Sequence, residues 1–498
     1  MIETLLTLQL PILIILAPLF AGFLTFGIGS FNKKLCAPIT IVGTGLSLIC
    51  AIQVLSQVQQ KGPVHYFLGG WIPPIGIEYV VDHLNGMVLV LIAVVAFLTA
   101  IYSVKVVEKE LSKRIHFFYT LFLFLVTGLM GITITGDAFN VYVLIEIAAL
   151  SSYALLALGQ KKSFFATFNY LIIGTIGACL YLLGVGFLLI QTGTLNMPDL
   201  AYQITLQPYS AAIFIAFILM VCGMFVKMAF FPAHGWLANA YASAPTAVGC
   251  LIAPLMTKVS VYVVIRVLFS IFSVSYVFDI LNISNAVIVL AVAAIVVGSI
   301  YALMQQHFRK LCCYLIVAEI GYMMGGIFMG NANGFFGGTY HLIADALMTA
   351  ALFMVAGAIY YKQGTLDIRK WAGLFKKMPI TMTCFIFVAC SMIGIPPTAG
   401  FFSKWYLISG ALQAGHYLFM IALLFSSLIN AVLFFRIIEY AYFGSFSSPN
   451  SHSQERSEAP LSMLLPLVLV IICMMVLGLY SQDILKYFIA PINPFLGN

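Results

Sequence analysis

The stretch AAIFIAFILMVCGMFVKMAFFPAHGW, Ala211 to Trp236, decides the fold class. Its first part is apolar for long enough to cross a hydrocarbon core of roughly 30 Å as a helix. Yet it carries a lysine, Lys227, and then runs into Phe230-Phe231-Pro232. A charge at membrane depth lacks water, and a helix break there frees backbone groups that need protein or water partners. Such a span is tolerated mainly beside a polar cavity, within a bundle of other helices.

The rest of the chain supplies that bundle. Of 498 residues, 62% are hydrophobic and 8% charged, against about a quarter charged in a soluble globular protein. Hydropathy places about fourteen spans, from Leu8–Ile28 through Ala37–Leu55, Met87–Val104, Phe117–Ile134, Ala138–Leu158, Phe164–Ile190 and Ala211–Phe231 to Ala247–Leu268. Ala286–Met304, Leu311–Met329, Gly337–Ile359, Ile380–Leu412, Tyr417–Phe443 and Leu461–Leu479 complete the set. No soluble domain interrupts them, so residues 1–498 read as one all-α, polytopic membrane domain. Strand-sized alternating segments are absent, which argues against an outer-membrane barrel. The first segment lacks a basic start and a cleavage site and reads as a retained helix. The longest polar connections are Gln59 to Gly86 and Gly444 to Pro460, the second a surface loop by composition.

The net charge of +7 forms no patch, which leaves nucleic acid without a footing as partner. Lysine and arginine fall instead on alternate loops: Lys33 and Lys34; Lys105 to Arg114; Lys161 and Lys162; Arg309 and Lys310; Lys362 to Lys377. The positive-inside rule makes these loops cytoplasmic and, with fourteen spans, puts both termini outside. The expected location is the cell (inner) membrane. The ten cysteines show no CxxC spacing, and no GxGxxG, Walker loop or HExxH occurs. No metal, cofactor or catalysis is therefore expected from the chain alone, and any redox reaction belongs to a partner.

A second span is broken, the twelfth, by Pro396-Pro397 and Gly400. Broken spans five apart fit an internal repeat of five helices, 117–268 and 286–443. Inside predicted spans lie seven ionisable residues: Glu146, Lys227, Lys258, Glu319, His341, Asp345 and Lys404. Each costs at least about 2.5–3.5 kcal/mol at the bilayer centre on insertion scales, so each needs a partner or a purpose. One reading is that they pair off and hold helices together, although buried ion pairs are weak stabilisers. The other is proton transfer, since a lysine desolvated between helices readily takes up and releases a proton. Lys227 is the candidate partner of Glu146. His341 and Asp345, four apart on one helix, share a face and can hydrogen-bond. His234, seven residues beyond Lys227, is either a second proton carrier or a ligand for a freed carbonyl at the break.

Several motifs resemble the antiporter-like subunits of respiratory complex I, membrane-bound hydrogenases and Mrp-type multisubunit sodium/proton antiporters. They are LGGWIPPIGIEYVVDHLNG (Leu68–Gly86), GDAFNVYVLIEIAALSSYALLALG (Gly136–Gly159), KMAFFPAHGWLANAYASAPTAV (Lys227–Val248), IGYM (Ile320–Met323) and GIPPTAGFFSKWYLISGAL (Gly394–Leu412). The first looks most like the D-type component of Mrp antiporters. The resemblance implies two inverted five-helix repeats with helices 7 and 12 broken, and a mid-membrane proton relay on Glu146, Lys227, Lys258 and Lys404. It also implies other membrane subunits as partners and protons, or protons with sodium, as cargo. The chain departs from the pattern at Glu319, where a neutral residue is common, and in DALMTAALF, where Asp345 stands for a histidine and Thr349 for a lysine. Glu319, His341 and Asp345 are accordingly expected to link Lys258 to Lys404 in a different way. The rival expectation is a structural or quinone-facing membrane subunit whose buried charges only hold helices.

Overall fold

The computed structural model describes residues 2–159, 161–443 and 456–496. In chain order its helices are α1 (Ile2–Phe31), α2 (Cys36–Lys61), α3 (His83–Glu110), α4 (Ile115–Ile134), α5 (Ala138–Ala157), α6 (Lys161–Thr192), α7 (Met197–Leu206), α8 (Ala211–Lys227) and α9 (Leu237–Ala242). They continue with α10 (Thr246–Arg266), α11 (Ser284–Met304), α12 (Phe308–Ile327), α13 (Ala332–Gln363), α14 (Leu374–Lys377), α15 (Pro379–Ile393), α16 (Ala399–Ala414), α17 (Tyr417–Phe443) and α18 (Leu461–Leu479). Among the described residues, twelve of these, α1–α6, α10–α13, α17 and α18, are long and apolar enough to cross a membrane. The twelfth expected span is two helices about a break, α15 with α16, whereas the seventh, expected at Ala211–Phe231, is α8 running into a break beyond which α9 follows. With 17 and 15 residues, α8 and α15 reach only about 25 Å and 22 Å at 1.5 Å per residue, short of the hydrocarbon core.

Helix limits follow local chemistry. Asp82 caps α3 in a reciprocal capping box with Asn85, and Asp137 caps α5 by accepting from the backbone N–H of Asn140. Pro379 opens α15, where its missing N–H costs nothing. Gly394 (φ 92°) ends that helix in a left-handed conformation, and Gly364 (φ 67°) does the same for α13. The first break is strained instead: Ala229, just past α8, adopts φ 62°, a region a non-glycine residue rarely visits. At the second break, a side chain on Gly400 would sit 1.9 Å from the Ser391 carbonyl oxygen, so only glycine lets α16 approach α15 this closely.

Two features were not expected from hydropathy. The connection after α2 forms an antiparallel hairpin, β1 (Val64–Phe67) with β2 (Glu78–Val81), so the chain is not wholly helical. The short helix α7 lies in the connection after α6. The expected loop from Gly444 to Pro460 lies mostly outside the described residues.

Burial separates core from periphery. The long apolar stretch of α13 is buried throughout, whereas α1, α2 and α6 leave much of theirs exposed. Pairs of contacts recur along the chain. Gly128 of α4 packs so tightly on α5 that a Cβ there would lie 2.8 Å from the Ala148 backbone nitrogen. Gly298 of α11 does the same on α12, with the Ala318 nitrogen at 2.7 Å; both of these residues lie 170 positions beyond their counterparts. Likewise the residue before α5, Asp137, bridges to Asn196 beyond α6, and the residue before α12, His307, bridges to Asp367 beyond α13.

Candidate functional site

Seven of the eight candidate residues fall into three buried groups strung through the middle of the bundle, and His234 stands apart in the first break. In the first group, Lys227 ends α8 and Glu146 lies eight residues after the α5 start at Ala138. Their charged atoms are 3.7 Å apart, an ion pair without a hydrogen bond. The lysine is buried and the glutamate 26% exposed. The Trp236 indole donates to the Val226 carbonyl, which also accepts from the Ala229 backbone N–H at the end of α8.

The second group joins α10 to α13. Lys258 and Asp345 are 2.8 Å apart, with side chains 1% and 0% exposed. The Thr349 hydroxyl, one turn on from Asp345, donates to its Oδ1 at 3.0 Å and accepts from Lys258 at 3.3 Å. Thr349 thus completes a triad rather than merely standing where the family pattern has a lysine. A cavity of about 20 Å³ lies between Lys227 and Ser260 of α10, room for one water.

The third group lies between α12, α13 and α16. His341 Nε2 is 2.5 Å from Glu319 Oε2, and its Nδ1 is 2.8 Å from the Ser403 hydroxyl. The expected bond between His341 and Asp345 is therefore not made. Both sit on one face of α13, but His341 reaches toward α12 while Asp345 reaches toward α10. Next to Ser403, Lys404 donates to the Met392 and Ile393 carbonyls at 2.8 and 3.3 Å and to Ser427 at 3.1 Å. Those carbonyls are the last of α15, freed by the break, where the helix dipole also favours a cation. The ammonium sits 5.3 Å from the centre of the Tyr322 ring, and the Tyr322 hydroxyl donates to Ser426 at 2.5 Å. Among the described residues, no carboxylate pairs with Lys404.

His234 was expected to follow Lys227 on one helical face. Residues 228–236 are not regular helix, so that periodicity does not apply; the ring instead stacks near Phe231, and its Nδ1 has no partner among the described residues. Hydropathy and charge found the ionisable groups but not Ser403, Ser427 and Tyr322. Hydroxyls within apolar helices carry no distinctive pattern, and only the fold shows which of them meet a charge. Among the described residues, no group of three or more histidine, cysteine, aspartate or glutamate side chains could hold a metal ion.

Residues 135–430, which contain all eight candidates, match the family described as NADH:quinone oxidoreductase/Mrp antiporter, TM. The chain belongs to that family. It is 38% identical, over 96% of its length and 97% of the relative's, to a protein of Desulforudis audaxviator named as the N-type component of NADH-quinone oxidoreductase. With 29% identity over 96% and 95%, it is similar to the D-type component of the Na(+)/H(+) antiporter of Alkalihalophilus pseudofirmus. In structure it matches a chain of the membrane-bound sulfane sulfur reductase, an archaeal respiratory membrane complex, with TM-score 0.89, 28% identity and 98% of both chains covered. The family member is a multi-pass protein of the cell membrane, and its relatives' complexes contain further membrane subunits.

Proposed function

We propose that this chain is a proton-translocating, antiporter-like subunit of a multisubunit membrane complex, and that it relays protons through its buried lysines, carboxylates and histidine. The order would be Glu146 and Lys227, then Lys258 with Asp345 and Thr349, then Glu319, His341 and Ser403, and last Lys404. The observation that carries this reading is the Lys258–Asp345 ion pair, 2.8 Å apart and bridged by the hydrogen-bonded Thr349 hydroxyl: a proton passing from ammonium to carboxylate neutralises both groups at once, removing two buried charges together. A buried pair that can do this is a switch as well as a link. Charging one group changes the proton affinity of the next, so coupling is electrostatic and reciprocal. Names of relatives in both the antiporter and the oxidoreductase classes support cargo of protons, or protons with sodium.

The same reading divides the chain into two five-helix units, 117–268 and 286–443. The contacts that recur 170 residues apart support it, and an odd number of helices per unit sets the two in opposite orientation. The Lys258–Asp345 pair would then be the joint between the units.

The test is proton flux in inverted membrane vesicles energised by NADH or a sodium gradient. Glu146→Gln and Lys227→Ala should each nearly abolish flux while the protein still assembles, because each strands the partner charge. Flux near the parental rate in both variants contradicts the relay.

A further inference from the structure

The two breaks differ in what meets their carbonyls. Past α8 the Val226 carbonyl is taken by the Trp236 indole and the Ala229 backbone N–H, and Lys227 faces the Glu146 carboxylate. Past α15 the ammonium of Lys404 meets only oxygens without charge, the Met392 and Ile393 carbonyls and the Ser427 hydroxyl. Asn430 brings a further oxygen. It lies three residues after Ser427 on α17, so the two share a face. Its amide nitrogen donates at 3.2 Å to the same Met392 carbonyl that holds the ammonium. Its amide oxygen is buried and has no partner among the described residues.

Buried amide oxygens are nearly always satisfied, and one left over beside freed carbonyls at a helix C-terminus, where the dipole is negative, points to a cation. Hard cations take oxygen ligands, and divalent ions ordinarily recruit carboxylates. A shell of neutral oxygens that already holds one ammonium suits a single positive charge, because exchanging one for the other leaves the charge at the break unchanged. Broken membrane helices bind sodium or protons in this way, through unwound carbonyls and C-terminal helix ends. The site is also within reach of the molecular surface: Ile393 and Gly394 are half-buried, and Ile395, Pro396 and Pro397 are exposed. A side chain on Gly394 would come within 3.2 Å of Lys404 Cδ; glycine leaves the lysine stem room to swing aside.

Resting on the relay reading, in which Lys404 is the last carrier, we propose that the oxygens of Met392, Ile393, Ser427 and Asn430 form a binding site for a monovalent alkali cation such as sodium, which replaces the Lys404 ammonium when that group gives up its proton. In the exchange one N–H bond of the ammonium breaks, its electron pair stays on nitrogen, and the proton passes to water. The neutral amine then leaves the carbonyls and the ion takes its place, one cation for one proton. The other titratable groups around Lys404 are Tyr322 and Glu319 of α12 and His341 of α13, the last two bonded to each other. From α15 and α17 its contacts are neutral.

Equilibrium binding of radioactive sodium to the purified, assembled complex tests this. In the parent, sodium affinity should fall by about ten-fold for each unit the pH is lowered while the lysine competes as ammonium, because one proton is displaced per ion. Asn430→Leu, similar in shape but without the oxygen, and Ser427→Ala should each weaken sodium binding by about ten-fold or more. Lys404→Met removes the competitor, so its sodium affinity should no longer change with pH. The site is overturned by parental affinity in Asn430→Leu or, should that variant not assemble, in Ser427→Ala. It is overturned equally by pH-independent binding in the parent, or by the parental pH dependence in Lys404→Met. Proton flux in Lys258→Ala keeps the two claims apart: if flux is lost there while Asn430→Leu binds sodium as the parent does, the relay stands and only this site falls, whereas parental flux in Lys258→Ala removes the relay itself.

Discussion

Asp345→Asn is the sharpest single perturbation of the Lys258–Asp345 pair that joins α10 to α13. Asparagine keeps the shape of aspartate and can still accept from Thr349, whose hydroxyl lies 3.0 Å from Oδ1, so the packing of α13 should survive. What goes is the charge opposite Lys258. At 2.8 Å and an effective dielectric of about 20, two unit charges attract by about 6 kcal/mol before desolvation is counted. Stranding one member of a buried pair costs about 3–5 kcal/mol, and a lysine left without its anion interrupts the relay. If about 3 kcal/mol of that cost enters the barrier, flux drops on the order of 100-fold. The assay is initial proton flux in inverted vesicles, normalised to the amount of assembled complex. Glu108→Gln, at a side chain 55% exposed and paired with Lys105, is the control and should stay near the parental rate. Flux in Asp345→Asn within about three-fold of the control, on the same conversion of rate to barrier, refutes the reasoning and leaves the pair a structural clamp.

Three further outcomes follow from the geometry. Glu319→Gln removes the anionic partner 2.5 Å from His341; flux should fall by about ten-fold or more, while a parental rate would show that this pair only joins α12 to α13. Gly400→Ala places a methyl group 1.9 Å from the Ser391 carbonyl oxygen, and backbone cannot yield as a side-chain tip can. The protein should lose about 1–3 kcal/mol of stability, visible as less assembled complex and a lower midpoint of thermal unfolding. A cysteine introduced at Gly364, between α13 and the basic residues that follow it, should be labelled by an impermeant reagent in inverted vesicles and not in intact cells; labelling from outside would reverse the topology.

Much of this was legible in the sequence because lipid punishes charge and helix breaks so heavily that each exception stands out. Glu146, Lys227, Lys258 and Lys404 could be picked from a single chain, as could the breaks at Pro232 and at Pro396-Pro397. Pairing was harder to read. The spacing of His341 and Asp345 correctly put them on one face of α13, but a buried central helix has neighbours on every side, and a four-residue spacing does not say which neighbour each side chain meets. His234 failed for a related reason: helical periodicity cannot be carried across a break. The hairpin of β1 and β2 was hidden because each strand has only four residues, too few for alternation to register. The recurrence at 170 residues was read only from the placement of the broken spans, because it lies in which residues touch, Gly128 with Ala148 and Gly298 with Ala318, more than in residue identity.

The central claim is that protons cross through the buried charges of this chain, and Lys258 is the member that no alternative route should bypass, since its ion pair with Asp345 joins α10 to α13. The direct measurement is proton uptake by proteoliposomes containing the purified complex, followed with a trapped pH-sensitive dye, for the parent and for Lys258→Ala at equal protein content. The account predicts uptake by the parent and none above the protein-free leak for Lys258→Ala, with all subunits still present. Uptake by Lys258→Ala at the parental rate would contradict it.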